Sequence, residues 1–86
     1  MPEISRFFGM VVTMYYSDHP PEHFHVRYGR QRAQFSIETM MPLRGKLSPR
    51  AVRLIAEWTS LHQDELYENW DLARQRKPLK PIEPLQ

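Results

Sequence analysis

Apolar residues recur along this chain in more than one rhythm, and each rhythm predicts a different element. Phe7 to Tyr16, FFGMVVTMYY, carries no charge and is dense in aromatic and β-branched side chains. It predicts a strand covered on both faces and therefore central in a sheet. Gly9 inside that run marks a bulge or a close backbone approach. His23 to Tyr28 alternates with period two, with Phe24, Val26 and Tyr28 on one face and His23, His25 and Arg27 on the other. That is the pattern of a half-buried strand. Gln31 to Thr39 repeats it, setting Ala33, Phe35 and Ile37 against Arg32, Gln34, Ser36 and Glu38. The intervening Gly29-Arg30 has the length of a hairpin turn.

After Ser48 the spacing becomes helical. Ala51, Leu54, Ile55, Trp58 and Leu61 form one apolar stripe, continued by Leu66, Trp70 and Ala73. Ser48 is a capping residue and Pro49 suits the first helical position. His62 to Asp64 is polar and out of phase, so it marks a kink or the cap of a second helix. Arg74, Arg76 and Lys77 suit a helix C-terminus. Met1 to Arg6 reads as a lead-in, and Met40 to Lys46, broken by Pro42 and Gly45, as an exit loop with room for a fourth strand pairing. Strands first and helix after predict an α+β class. The expected architecture is a small antiparallel sheet of three strands, or four, with one long or two consecutive C-terminal helices on one face. Residues 1–77 form one domain in this reading. Pro78, Pro81 and Pro84 make residues 78–86 an extended tail with apolar residues at Leu79, Ile82 and Leu85.

Composition narrows the function classes. At 86 residues the chain makes one domain, too small for a large internal cavity. It has no cysteine, hence no disulfide framework and no thiolate metal site. No apolar run is long enough for a membrane span, and a cytoplasmic protein is expected. The net charge of +2 hides an asymmetry. Residues 1–53 carry eight Lys/Arg against four Asp/Glu, and residues 54–86 carry four against six. A basic front half points to an anionic partner. A small core with an edge strand also makes a homodimer an expectation.

The candidate chemistry is concentrated between Tyr15 and Tyr28, which holds three of the four histidines and the Pro20-Pro21 pair. His23 and His25 have the pKa range for proton transfer. Arg27 can hold a phosphate bidentately, and His19 with Asp18 sits in the preceding turn. Tyr15, Tyr16 or Tyr28 can stack or donate. Arg30, Arg32, Arg44 and Lys46, with Arg50 and Arg53, gather around the hairpin and the helix start as an anion-binding surface or a solvated rim. As a metal site, His19, His23 and His25 with Asp18 or Glu22 would suit zinc, nickel or iron. As a structural set, the same histidines would lock the loop. No phosphate-loop glycine pattern, nucleophile elbow or HExxH is present.

Several runs resemble a known family. Pro2 to Gly9 (PEISRFFG), Met14-Tyr15-Tyr16, Asp18-His19, His23-Phe24-His25-Val26, Glu57-Trp58, Glu68-Asn69-Trp70 and the closing Pro78 to Leu85 (PLKPIEPL) are similar to the bacterial domain of unknown function family 4160. The family stretch is close to D-H-x-P-P-H-F-H-V; here Pro20-Pro21-Glu22 places one loop residue differently. The resemblance implies a protein partner from a second family, number 2442, encoded alongside, and a toxin–antitoxin module. It carries Asp18, His19, His23 and His25 forward as site residues, with Glu57, His62, Asn69 and Trp70 serving site or fold.

The leading expectation is a toxin-like, metal-independent ribonuclease with no cofactor. His23, His25, Arg27 and His19 are its catalytic residues. Asp18, Tyr16, Tyr28, Arg30, Arg32, Arg44 and Lys46 are its binding residues, RNA is its target and the family 2442 protein its partner. The alternatives are a non-enzymatic protein- or nucleic-acid-binding regulatory module and a His-ligated metal-binding protein.

Overall fold

The computed structural model describes residues 2–86; Met1, where the predicted lead-in begins, lies outside the described residues. Five strands precede one helix: β1 (Glu3–Phe7), β2 (Met10–Thr13), β3 (His23–Tyr28), β4 (Gln31–Ser36), β5 (Pro42–Lys46) and α1 (Pro49–Arg74). The strands form one antiparallel meander in sequence order. The α+β class holds, and the sheet has five strands where three or four were expected.

The extra strands come from two places. The uncharged run Phe7 to Tyr16 is not one strand, because Phe8 and Gly9 both take positive φ, 49° and 78°. Two such residues make a hairpin turn whose twist matches its strands, so β1 ends at Phe7 and β2 begins at Met10. Gly9 is thus a turn residue, and its backbone passes so near Tyr28 that an added Cβ would sit 3.4 Å from the ring. A phenylalanine at positive φ leaves no mark in a hydrophobicity pattern. β5 forms where an exit loop was expected, with Pro42 tolerated because the strand lies at the edge. Gly45, at φ 81°, lies against the Arg32 backbone, where any side chain would collide with the Arg32 carbonyl. β4 stops at Ser36 rather than Thr39, because Ser36 turns the chain: its Oγ accepts from the Thr39 N–H (3.0 Å) and its carbonyl from the Met40 N–H (3.0 Å).

The helix starts as its cap residues dictate. Ser48 Oγ accepts from the Ala51 N–H (3.3 Å), with Pro49 in the first turn. It continues to Arg74 with one break, at His62 (φ −128°, ψ 23°). That kink takes Leu61 off the apolar stripe, and Leu61 is 65% exposed where the spacing placed it on the sheet. Around the kink, Trp58 is the centre of the core. Its indole meets Phe24 edge-on (centroids 5.8 Å) and Phe7 at a tilt (5.4 Å), and Phe24 stacks on Phe35.

Residues 78–86 form no helix or strand, yet Ile82 and Leu85 are buried. Asn69 clamps the segment from both sides, its Nδ2 donating to the Lys80 carbonyl (2.8 Å) and its Oδ1 accepting from the Lys80 N–H (2.9 Å). The Ile82 N–H donates to the Ile4 carbonyl on the β1 edge (2.8 Å), and Trp58 Nε1 donates to the Glu83 carbonyl (2.9 Å).

Candidate functional site

Two features meet on the face of the sheet that α1 leaves uncovered. The first is a corner built by the segment before β3. The Ser17 N–H donates to the Ala73 carbonyl (3.3 Å), which ties this loop to the end of α1. Trp70 thereby reaches the His23 ring (centroids 5.4 Å), and His23 is buried, although period-two alternation alone places it on an open face. His23 Nδ1 lies 2.7 Å from the Pro21 carbonyl, which can only accept, so the ring donates there. Its Nε2 then faces Asp18 Oδ2 at 3.0 Å. His25 Nε2 faces the same oxygen at 3.3 Å. The second carboxylate oxygen, Oδ1, accepts from the His19 N–H (2.9 Å).

The electrostatics of the corner keep Asp18 charged and His25 neutral. Burial pushes the Asp18 carboxyl up, but the His19 N–H, the His25 hydrogen bond and the two imidazoles outweigh it and hold Asp18 below its ordinary range. Burial lowers the His25 pKa, and His23 adds to that lowering while Asp18 only partly offsets it. Tyr15 packs its ring edge against His25 (centroids 4.4 Å).

The second feature is the register of the sheet. Arg6 stands opposite Val11, Val11 opposite Arg27, Arg27 opposite Arg32, and Arg32 opposite Lys46. One row across all five strands therefore carries four cations. Two residues further along β2 to β5, and three along β1 where the register shifts, Glu3, Thr13, His25, Gln34 and Arg44 form a second row. Between the rows lies a concave pocket of about 370 Å³, lined by His25, Tyr15, Arg6, Arg27, Arg32 and Arg44 among others. Glu3 engages Arg6 through both its oxygens (2.8 and 3.2 Å). Among the described residues, no carboxylate pairs with Arg27, Arg32 or Arg44.

The candidate residues therefore divide. His25, Arg27, Arg32 and Arg44 share the pocket, with Lys46 at the end of its cationic row. Asp18 and His23 stand behind His25. His19 is exposed and lies with Asp18, Glu22, Trp70 and Arg74 around a second hollow. Tyr16 is exposed away from the pocket, while Tyr28 and Arg30 sit at the β3–β4 turn, outside its lining. Of the further residues carried by family resemblance, Asn69 holds the C-terminal segment, Trp70 covers His23, and His62 pairs with Glu65 and packs on Trp58. Glu57 is exposed. Arg6 and Thr13 also line the pocket and escape a reading by pattern, because no alternation marks β1 and the uncharged run through β2 predicts a strand covered on both faces.

Fold and site define a small α+β protein that presents a cationic sheet face ending in a His/Asp corner. Residues 9–71 match the family model described as Domain of unknown function (DUF4160), and the chain belongs to that family. The match spans the corner and Arg27, Arg32 and Arg44, and leaves out β1 and the C-terminal segment. No curated protein and no solved structure matches the chain. Among the described residues no helix is long and apolar enough to cross a membrane.

Proposed function

We propose that the protein binds the phosphodiester backbone of single-stranded RNA along the open face of its sheet and cleaves it at His25. The observation that carries this reading is the cationic row. Arg27, Arg32 and Lys46 are direct cross-strand neighbours, and like charges in that relation oppose folding. The arrangement gains stability when an anionic chain lies across it, and a guanidinium fork suits phosphate.

The corner supplies the chemistry. His25 is neutral at pH 7, borders the pocket and is held by Asp18, the pairing that orients a general base. In RNA the nucleophile is internal. The 2′-hydroxyl gives its proton to His25 and forms a bond to phosphorus, the bond from phosphorus to the 5′ oxygen breaks, and that oxygen takes a proton from solvent. The products are a 2′,3′-cyclic phosphate end and a 5′-hydroxyl end. Arg27, two residues along β3 from His25 and so about 7 Å away along the strand, neutralises the charge that builds on phosphorus. His23 fixes Asp18 from behind. In this reading the chain is the RNA-acting member of a two-protein module, and its partner silences it by covering the arginine row.

The test uses a fluorescent oligoribonucleotide and its deoxy counterpart. The double charge reversal Arg27→Glu/Arg32→Glu should abolish binding of both and flatten the salt dependence, at about 0.7 in log–log slope per lost single-strand phosphate contact. His25→Ala should keep binding and lose cleavage, and only the ribo-oligonucleotide should be cut. Undiminished binding by the charge-reversed protein, or RNA left intact by the wild type, would overturn the proposal.

A further inference from the structure

The corner gathers three electron-pair donors, from Asp18, His23 and His25, around one point. His23 Nδ1 carries the ring's hydrogen, since its partner is the Pro21 carbonyl. In the neutral ring Nε2 is then a bare lone pair, and it points at Asp18 Oδ2 from 3.0 Å. A neutral His25 can offer one N–H to that oxygen, whereas a neutral His23 with its hydrogen on Nδ1 has none to give. Two lone pairs at that distance with no hydrogen between them repel each other, and either a second proton on His23 or a metal cation between them removes the repulsion.

We infer that Asp18, His23 and His25 form a binding site for one divalent transition-metal ion of the zinc class. One donor atom from each of the three lies within 4.8 Å of the others. Zinc bonded to nitrogen and oxygen at about 2.0–2.2 Å in a tetrahedron sets neighbouring donors about 3.3–3.6 Å apart. The separations of 3.0 and 3.3 Å from Oδ2 to the two imidazoles are close to that. The outer contacts are those a ligating set needs. Pro21 fixes the His23 tautomer, as the second nitrogen of a metal-bound histidine requires. The His19 N–H takes Oδ1 and leaves Oδ2 to the ion, and Trp70 walls His23. Two imidazoles and a carboxylate suit zinc, iron or nickel, and three protein ligands leave a coordination position for water or a ligand oxygen.

A bound ion has a consequence for the proposed cleavage, and this part rests on that reading. Metal at Nε2 of His25 displaces the hydrogen shared with Asp18 and leaves the neutral ring protonated at Nδ1, the nitrogen that would accept the 2′-hydroxyl proton, so the loaded protein keeps its arginine row and loses its base. Zinc then switches cleavage off while RNA stays bound.

The experiment titrates untagged full-length protein with Zn²⁺ against a chromogenic chelator, and with Co²⁺ by visible absorption. Wild type should take up one equivalent and melt at a higher temperature with zinc present. Asp18→Asn, a near-isosteric change, and His25→Ala should each weaken binding by more than the about 10–100-fold expected from losing an outer-shell partner. Lys77→Gln, an exposed position beyond the helix, should bind zinc as wild type does. Failure of the wild type to take up zinc, or unchanged affinity in both corner variants, would overturn the site. RNA readout stays separate: a wild type that never cleaves RNA sinks the earlier proposal and leaves the titration to judge the metal. Cleavage that persists at one equivalent of bound zinc sinks the switch.

Discussion

The two faces of one sheet obey opposite rules. The face under α1 is apolar and closed, with Phe24, Phe35 and Val12 fully buried and Trp58 of the helix equally buried against it. The other face sets Arg27 beside Arg32 and Arg32 beside Lys46, a pattern that costs stability. Both faces are made by the same strands, residue by residue in alternation. The comparison separates what holds the fold from what the fold presents: substitutions on one face should be read in stability, and on the other in binding.

The largest expected effect lies on the closed face. Trp58 touches Phe7 and Phe24 and donates to the Glu83 carbonyl, so it links sheet, helix and C-terminal segment. Trp58→Ala should cost about 3–5 kcal/mol, the range for emptying an aromatic site in a core, measured by urea denaturation. A loss under 1 kcal/mol would mean the two faces are not divided in this way.

Asn69 gives the next effect. It satisfies both the N–H and the carbonyl of Lys80 from a position that is 1% exposed. Asn69→Ala leaves two backbone groups without partners and should cost about 1–3 kcal/mol. Amide hydrogen exchange should localise the loss to Ile82, whose N–H bonds the β1 edge. Uniform exchange across the sheet would instead point to global destabilisation.

These two residues also show what the sequence makes legible. The helix start at Ser48-Pro49, the break at His62 and the β3–β4 hairpin are local signals, written in cap and turn chemistry and in short-range periodicity. The Phe8-Gly9 turn was not legible, since only a long-range fit puts a phenylalanine at positive φ. His25, Arg27 and Arg32 were legible as one face from alternation alone. The full row was not, because it depends on a five-strand register that begins in an unforeseen β1. Nor was the burial of His23, which comes from Trp70 some 47 positions away in the chain.

The corner between the two faces should be acid-sensitive when metal-free. His25 has a folded pKa below its ordinary value, so the unfolded chain binds the proton first as pH falls. Its contribution is therefore complete above about pH 6.5, the ordinary histidine value, and is lost as pH drops through the folded pKa. Asp18, also lowered, adds a contribution that is present above the ordinary carboxylate range and lost below it. With EDTA present, the melting temperature should stay level above neutrality and fall in acid. His25→Gln should flatten the upper part of that decline; a curve identical to wild type would show that His25 does not titrate on unfolding.

The smallest effect has the opposite sign, and so divides the faces most sharply. Arg32 is the middle of the row, opposed by Arg27 on one side and Lys46 on the other. Arg32→Gln keeps most of the aliphatic stem and removes both like-charge oppositions. On a closed face, removing a long side chain destabilises; here the change should stabilise by about 0.2–1 kcal/mol. The gain should shrink in 1 M salt, where the screening length falls to about 3 Å, and RNA affinity should drop in the same variant. Stability rising while binding falls is what a surface arranged for an absent anion requires. If Arg32→Gln lowers both together, the arginine serves the fold, and the row is a solvated rim rather than a binding face.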